Sequence, residues 1–186
     1  MNVLWYLSRA TGVASIVLLT VVVVLGVVTA GRRRPQGEQA TIVMAMHRWL
    51  SLGMASFLIV HIATAIFDSY VSISALAAVI PFVSAYETVW VGLGTLAVDI
   101  LIAVLATSWF RHRIPERTWR LVHWTAYALW PLAIIHGIVL GTSDQLLLLG
   151  ITAACAVVGV GAVGWRLLTR DSDTAQRAAA LTQKWS

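Results

Sequence analysis

Five apolar runs dictate what this chain can become. They cover about residues 12–30, 41–67, 89–110, 121–140 and 145–168. About 20 apolar residues in a helix cross the hydrocarbon of a bilayer, and each run reaches or nearly reaches that length. A backbone in lipid has to satisfy its own hydrogen bonds. The expected fold is therefore all-α, an integral membrane helical bundle with five transmembrane helices. Composition agrees: 59% of the 186 residues are hydrophobic and 11% are charged. An ordinary soluble domain carries about 25% charged residues. The single cysteine, Cys155, excludes an internal disulfide, a thiolate-held cluster and a cysteine zinc site.

Two stretches need a decision. The first run has Arg9 before it and Arg32, Arg33 and Arg34 after it. A secretory signal places its positive charge in front, so a retained span is expected here, although Val28-Thr29-Ala30 faintly resembles a cleavage site. Residues 68–88 have acidic ends and an apolar interior, Val71 to Val83, interrupted by Pro81. Thirteen residues rise about 20 Å as a helix, short of a clean span. A re-entrant or interfacial cover is expected there, with a thin sixth span as the alternative.

The net charge of +5 suggests nucleic acid until its placement is read. With the N-terminus outside, twelve of the 13 lysines and arginines fall on the inner side, and only Arg9 falls outside. That asymmetry orients membrane helices, and no nucleic-acid role is expected. The location implied is the cytoplasmic membrane, crossed several times. Trp5 and Trp90 mark the outer boundary. Trp49, Trp109, Trp119 and Trp165 mark the inner one, as an aromatic belt does.

Within this lipid-adapted chain, four histidines stand out. His47 and His61 lie in the second run, fourteen positions apart, and His123 and His136 lie in the fourth, thirteen apart. Histidine inside lipid is costly and points to function. The second and fourth spans run in the same direction, so His47 matches His123 in depth on the inner side. His61 likewise matches His136 on the outer side. A neutral imidazole binds haem iron well, and two of them saturate it, leaving an electron-transfer site with no open position. The expectation is two b-type haems, His47/His123 inside and His61/His136 outside, separated by about 20 Å along the helices. Fourteen helical steps return to within about 40° of the start, but thirteen miss by about 140°. A distortion at Pro131, between His123 and His136, is expected to bring those two onto one side. His112, between two arginines, is expected to be solvated.

The His-x13-His pair in the second span and the His-x12-His pair in the fourth make the chain resemble the ferric reductase-like transmembrane domain family. That family includes the membrane part of NADPH oxidases, ferric reductases and the haem subunit of bacterial methionine-sulfoxide repair systems. Trp5-Tyr6-Leu7-Ser8-Arg9-Ala10-Thr11-Gly12 also looks like the opening of small bacterial members, and the resemblance covers roughly residues 3–168. It implies the same haem pairing that depth suggests. Many members have six spans where five are counted here, and a missing leading helix would explain the difference.

The remaining polar residues acquire expected roles from this arrangement. Arg48 and Arg120 are candidates for inner-haem propionates, and Arg9 for an outer one. Asp99, near mid-membrane, is expected to be protonated or bonded, either between the haems or in helix contact. Gly159, Gly161 and Gly164 are expected to allow close helix approach. No GxGxxG loop following a strand and no flavin segment is present, so the chain needs a partner for nucleotide or substrate chemistry. The expected organisation is a dihaem domain over residues 1–168 and a cytoplasmic tail over 169–186. The expected function is electron transfer from a cytoplasmic flavoprotein, a quinol or another donor to ferric iron or an extracytoplasmic flavin- or molybdenum-bearing protein. The alternatives are a proton or metal transporter that uses the histidines and Asp99 as a relay, and a redox-silent membrane anchor.

Overall fold

A computed structural model describes residues 3–29, 37–68, 71, 73–141 and 145–183, with side chains as far as residue 168. The arginine stop at 32–34, residues 142–144 of the turn before the last span, Lys184 and the side chains of the tail lie outside the described residues. Six helices follow in order: α1 (Val3–Thr29), α2 (Gly37–Phe67), α3 (Thr88–Trp109), α4 (Glu116–Trp124), α5 (Ala126–Val139) and α6 (Leu146–Gln183). No strand occurs among the described residues. Five helical stretches are long and apolar enough to cross a membrane, with α4 and α5 together forming the fourth and α6 spanning as far as Leu168. The α6 backbone stays helical beyond that point to Gln183.

The stretch between α2 and α3 holds no sixth span. Its one helical feature among the described residues is a single 3-10 turn, Ala75–Ala78, capped by the Ser74 hydroxyl. Thr95 of α3 donates to the Ala77 carbonyl at 2.6 Å, and Ala77 is 1% exposed. The segment folds back onto α3, with Phe82 laid against Gly92. Phe82 has φ +65°, a left-handed conformation that a bulky side chain rarely adopts, and it follows directly on Pro81. The interfacial cover expected here is thus a folded loop anchored to α3 by a hydroxyl and a ring.

Hydroxyls inside the spans bond back onto their own helices. Ser15 donates to Thr11, Thr20 to Ile16, and Thr152 to Leu148. No water competes in lipid, so such a bond satisfies the hydroxyl without disturbing the apolar surface around it. Large apolar side chains such as Leu146, Leu147, Val157 and Leu168 are exposed on α6, as lipid-facing residues should be.

Helix α1 is the central post, in contact with α2, α5 and α6, while α3 closes onto α5. The core draws Ile16 and Leu19 from α1, Met54 from α2, Ala97 and Leu101 from α3, and Leu129, Trp130 and Ile134 from α5. Trp130 ties it together. Its Nε1 donates to the Thr20 hydroxyl at 3.0 Å, and its ring lies against Gly159 of α6. Of the three glycines expected to permit close approach, Gly159 alone does so; nothing lies within 4 Å of a Cβ built at Gly161 or Gly164. Gly159→Ala should therefore displace the indole and destabilise the bundle by about 1–3 kcal/mol, whereas Gly161→Ala should leave it unchanged. Unfolding of the two variants in mixed detergent micelles measures the difference.

Candidate functional site

The four histidines meet as two pairs. His47 of α2 and His123 of α4 have ring centroids 6.3 Å apart with planes at 52°. His61 of α2 and His136 of α5 are also 6.3 Å apart, with planes at 88°. Which histidine meets which agrees with the depth argument from sequence.

Three of the four rings sit in the same kind of cradle, a backbone partner on a neighbouring helix with a glycine four residues on. His61 Nδ1 donates to the Ser8 carbonyl at 2.8 Å, with the Ser8 hydroxyl at 3.3 Å. A Cβ on Gly12 would meet that same Nδ1 at 2.9 Å. His47 hydrogen-bonds the Val22 backbone, and a Cβ on Gly26 would lie 3.9 Å from its ring. His136 Nδ1 donates to the Trp90 carbonyl at 2.8 Å, and a Cβ on Gly94 would strike Nδ1 at 2.5 Å. A carbonyl only accepts, so Nδ1 carries the proton in His61 and His136. The other nitrogen, Nε2, is left with a free lone pair.

Helix α1 builds two of these cradles with one repeat. Ser8 and Val22 are fourteen positions apart, as are Gly12 and Gly26, and as are His47 and His61. Antiparallel helices in register turn equal spacings into equal environments. Sequence reading singled out none of Gly12, Gly26 and Gly94 as a cradle. The coincidence of the two fourteen-residue intervals was the available signal.

His123 is the exception. Its Nδ1 is buried with no hydrogen-bond partner among the described residues. Instead, the Trp119 ring stacks on it, with centroids 5.0 Å apart and planes 23° apart. The helix is also interrupted between His123 and His136, but at Thr125 rather than at Pro131. Thr125 N–H bonds the Val122 carbonyl at 3.0 Å and its hydroxyl bonds the same carbonyl at 2.6 Å. This tight turn separates α4, which carries His123, from α5, which carries His136, while Pro131 lies within α5. The Thr125 hydroxyl competes for that carbonyl two residues from His123.

A cavity of about 220 Å³ opens beside the His61–His136 pair and runs inward to Met54, Leu101 and Leu129. The loop after α2 covers it with Val71, Ile73 and Ala77. Arg9 lines the cavity, donates to the Leu140 carbonyl and lies 5.3 Å from the Trp5 ring centre. Arg48 is exposed beside His47. Arg120 is engaged by Glu116 in an exposed ion pair one turn away. Asp99 is half-buried and does not line the cavity. His112 is exposed, as expected. No group of three or more His, Cys, Asp or Glu side chains comes together among the described residues.

Such a bundle, with paired imidazoles at two depths, defines a multi-pass helical membrane protein. A family model described as the ferric reductase like transmembrane component matches residues 11–134, and the chain belongs to that family, a family of membrane electron-transfer proteins that generally bind haem. Searches among curated proteins and among solved structures found no match.

Proposed function

We propose that the chain is a bis-histidine dihaem cytochrome b that carries electrons across the cytoplasmic membrane. The observation that carries this reading is the 6.3 Å separation of both imidazole pairs. Two imidazoles holding one metal ion between them, at about 2.0–2.1 Å from each nitrogen and roughly 1.1 Å more to each ring centre, would have ring centres about 6.2–6.4 Å apart. The residues present therefore fit the group. Each pair offers two nitrogens and no third protein ligand, which suits an iron whose remaining positions are filled by a porphyrin. The carbonyl bonds at His61 and His136 are the outer-shell contacts that fix ring orientation and raise basicity in metal-ligating histidines.

A bound haem would supply a one-electron couple at each pair. This chain's residues hold the imidazoles in place and exclude water. His47 and His123 would hold the inner group, and His61 and His136 the outer one. Arg9, already on the wall of the outer cavity, would pair with a propionate there, and Arg48 with one at the inner end. Arg120 would have to leave Glu116 to do the same. With the N-terminus outside, residues 1–168 form the redox domain and 169–186 a cytoplasmic tail. Electrons come from a flavoprotein, a quinol or another donor inside and leave to ferric iron or to an extracytoplasmic flavin- or molybdenum-bearing protein. Outward movement of one electron gains about 2.3 kcal/mol per 100 mV of inside-negative potential.

Purified protein should show sharp, reducible b-type bands and about two haems per chain. Fully folded, haem-free and active protein would sink the reading in favour of a transporter or an anchor. His61→Ala and His136→Ala should each remove one haem and spare most of the other. Gly94→Ala should act in the same direction by crowding His136, and Gly26→Ala should be tolerated; pyridine haemochrome content measures all four.

The ring angles separate the two sites spectroscopically. Imidazole planes at right angles would make a bound low-spin ferric iron magnetically more anisotropic than planes nearer to parallel. The His61–His136 site, at 88°, should give the more anisotropic electron paramagnetic resonance signal, and the His47–His123 site, at 52°, the less anisotropic one. His61→Ala should abolish the former alone.

A further inference from the structure

The His47–His123 end differs from the other end in a way that haem ligation does not require. His123 has no carbonyl cradle; it has Trp119 stacked on its ring. Trp119 is itself covered on the solvent side. The Arg111 guanidinium lies 4.3 Å from its ring centre, and its Nε1 donates to the Ser108 hydroxyl at 3.4 Å. Arg111, Trp119 and His123 thus form a continuous ladder from an exposed cation through a half-buried indole to a metal-ligand candidate. Around it, residues 111–120 carry four arginines against one glutamate, and Arg111, Arg113 and Arg117 are exposed. Topology needs positive charge at this end, but it does not need an aromatic ring stacked between that charge and a buried imidazole.

We propose that this basic collar is the docking face of an acidic, soluble one-electron donor protein, and that Trp119 is the contact through which its electron reaches the His123 side of the site. The inference rests on the haem reading above. Charge complementarity argues for the partner: a positive patch of this density steers a negatively charged protein and orients it before contact. Guanidinium groups also pair with carboxylates in a fixed fork, which gives the docked complex a geometry. The stack supplies the short path. One electron leaves the donor's reduced flavin, which is oxidised by one electron. A haem held by His47 and His123 would take up that electron, and no bond would form or break. Trp119 is a positioning residue that shortens the tunnelling gap without being oxidised itself.

The test uses the full-length, haem-loaded protein in nanodiscs of neutral phosphatidylcholine. The donor is a photoreduced acidic flavodoxin, and dithionite serves as a small reductant that needs no docking. Three variants are compared with the parent: Trp119→Leu, Trp119→Phe and the triple variant Arg111→Gln/Arg113→Gln/Arg117→Gln. Haem content and the ferric spectrum are recorded first, then flavodoxin affinity by interferometry, then the rate of haem reduction. Trp119→Leu should slow reduction by flavodoxin but not by dithionite, with flavodoxin affinity unchanged, and Trp119→Phe should restore most of the rate. The triple variant should bind flavodoxin more weakly, react roughly tenfold or more slowly at low salt and lose the ionic-strength dependence of the parent. Equal rates and affinities across haem-loaded variants would overturn the proposal. So would an arginine face that binds vesicles of anionic lipid but not flavodoxin. A parent protein that folds without haem overturns the haem reading instead, and the inference falls with it.

Discussion

Each buried imidazole in this bundle needs a fixed partner for its N–H, because lipid offers none. The chain meets that need with the backbone at His61 and His136. A helix carbonyl is normally occupied by its own i+4 amide but keeps a second lone pair, and a side chain from the next helix reaches it only when nothing stands in the way. The glycines opposite His61 and His136 clear that space. Once Nδ1 is committed to Ser8 or Trp90, the ring is held in place, with its centre 6.3 Å from that of its counterpart. Helix spacing, ring orientation and the 6.3 Å pairing follow from that bond and that missing methyl group.

The same device explains why α1 sits at the centre. It offers Ser8 and Val22 to the two histidines of α2, and it lends Thr20 to Trp130 of α5. One helix therefore sets the register of two others. Between the two histidine depths lies the apolar core around Leu19, Met54, Leu101 and Trp130, held together by van der Waals contact and one indole hydrogen bond. Close contact of this kind is the main source of cohesion where burial from water contributes little.

The two ends of the bundle are not equivalent. At the His61–His136 end both rings are held by carbonyls and a folded loop covers the cavity. At the other end the chain breaks at Thr125, His123 gives up its carbonyl partner, and a tryptophan takes that place. Trp119 was read from sequence as one more member of an interfacial belt, a reading that suits the exposed Trp49, Trp109 and Trp165. Nothing in its spacing from His123 distinguishes a ring that stacks inward from one that faces lipid. The interruption at Thr125 was not foreseen for a related reason. Proline is the conspicuous helix breaker, but a threonine hydroxyl that competes for a carbonyl is invisible until the backbone around it is seen.

Much of the architecture was legible because lipid leaves few choices. Length and hydropathy select helices, and the number of helices between the two histidine-bearing spans sets their relative direction, which pairs His47 with His123 and His61 with His136. The amino-acid order alone determined those features, through 1.5 Å rises and the cost of polar groups in hydrocarbon. What it left open was every feature that depends on how one helix is rotated against the next. Only the tertiary structure decided that Gly12 and Gly94 lie under imidazoles while Gly161 and Gly164 face open space. It likewise separated Arg9, on the cavity wall, from Arg120, tied to Glu116, and kept Asp99 off that wall. Rotation about a helix axis costs the helix nothing internally, so it is chosen by side chains on neighbouring helices. Those neighbours are distant in sequence.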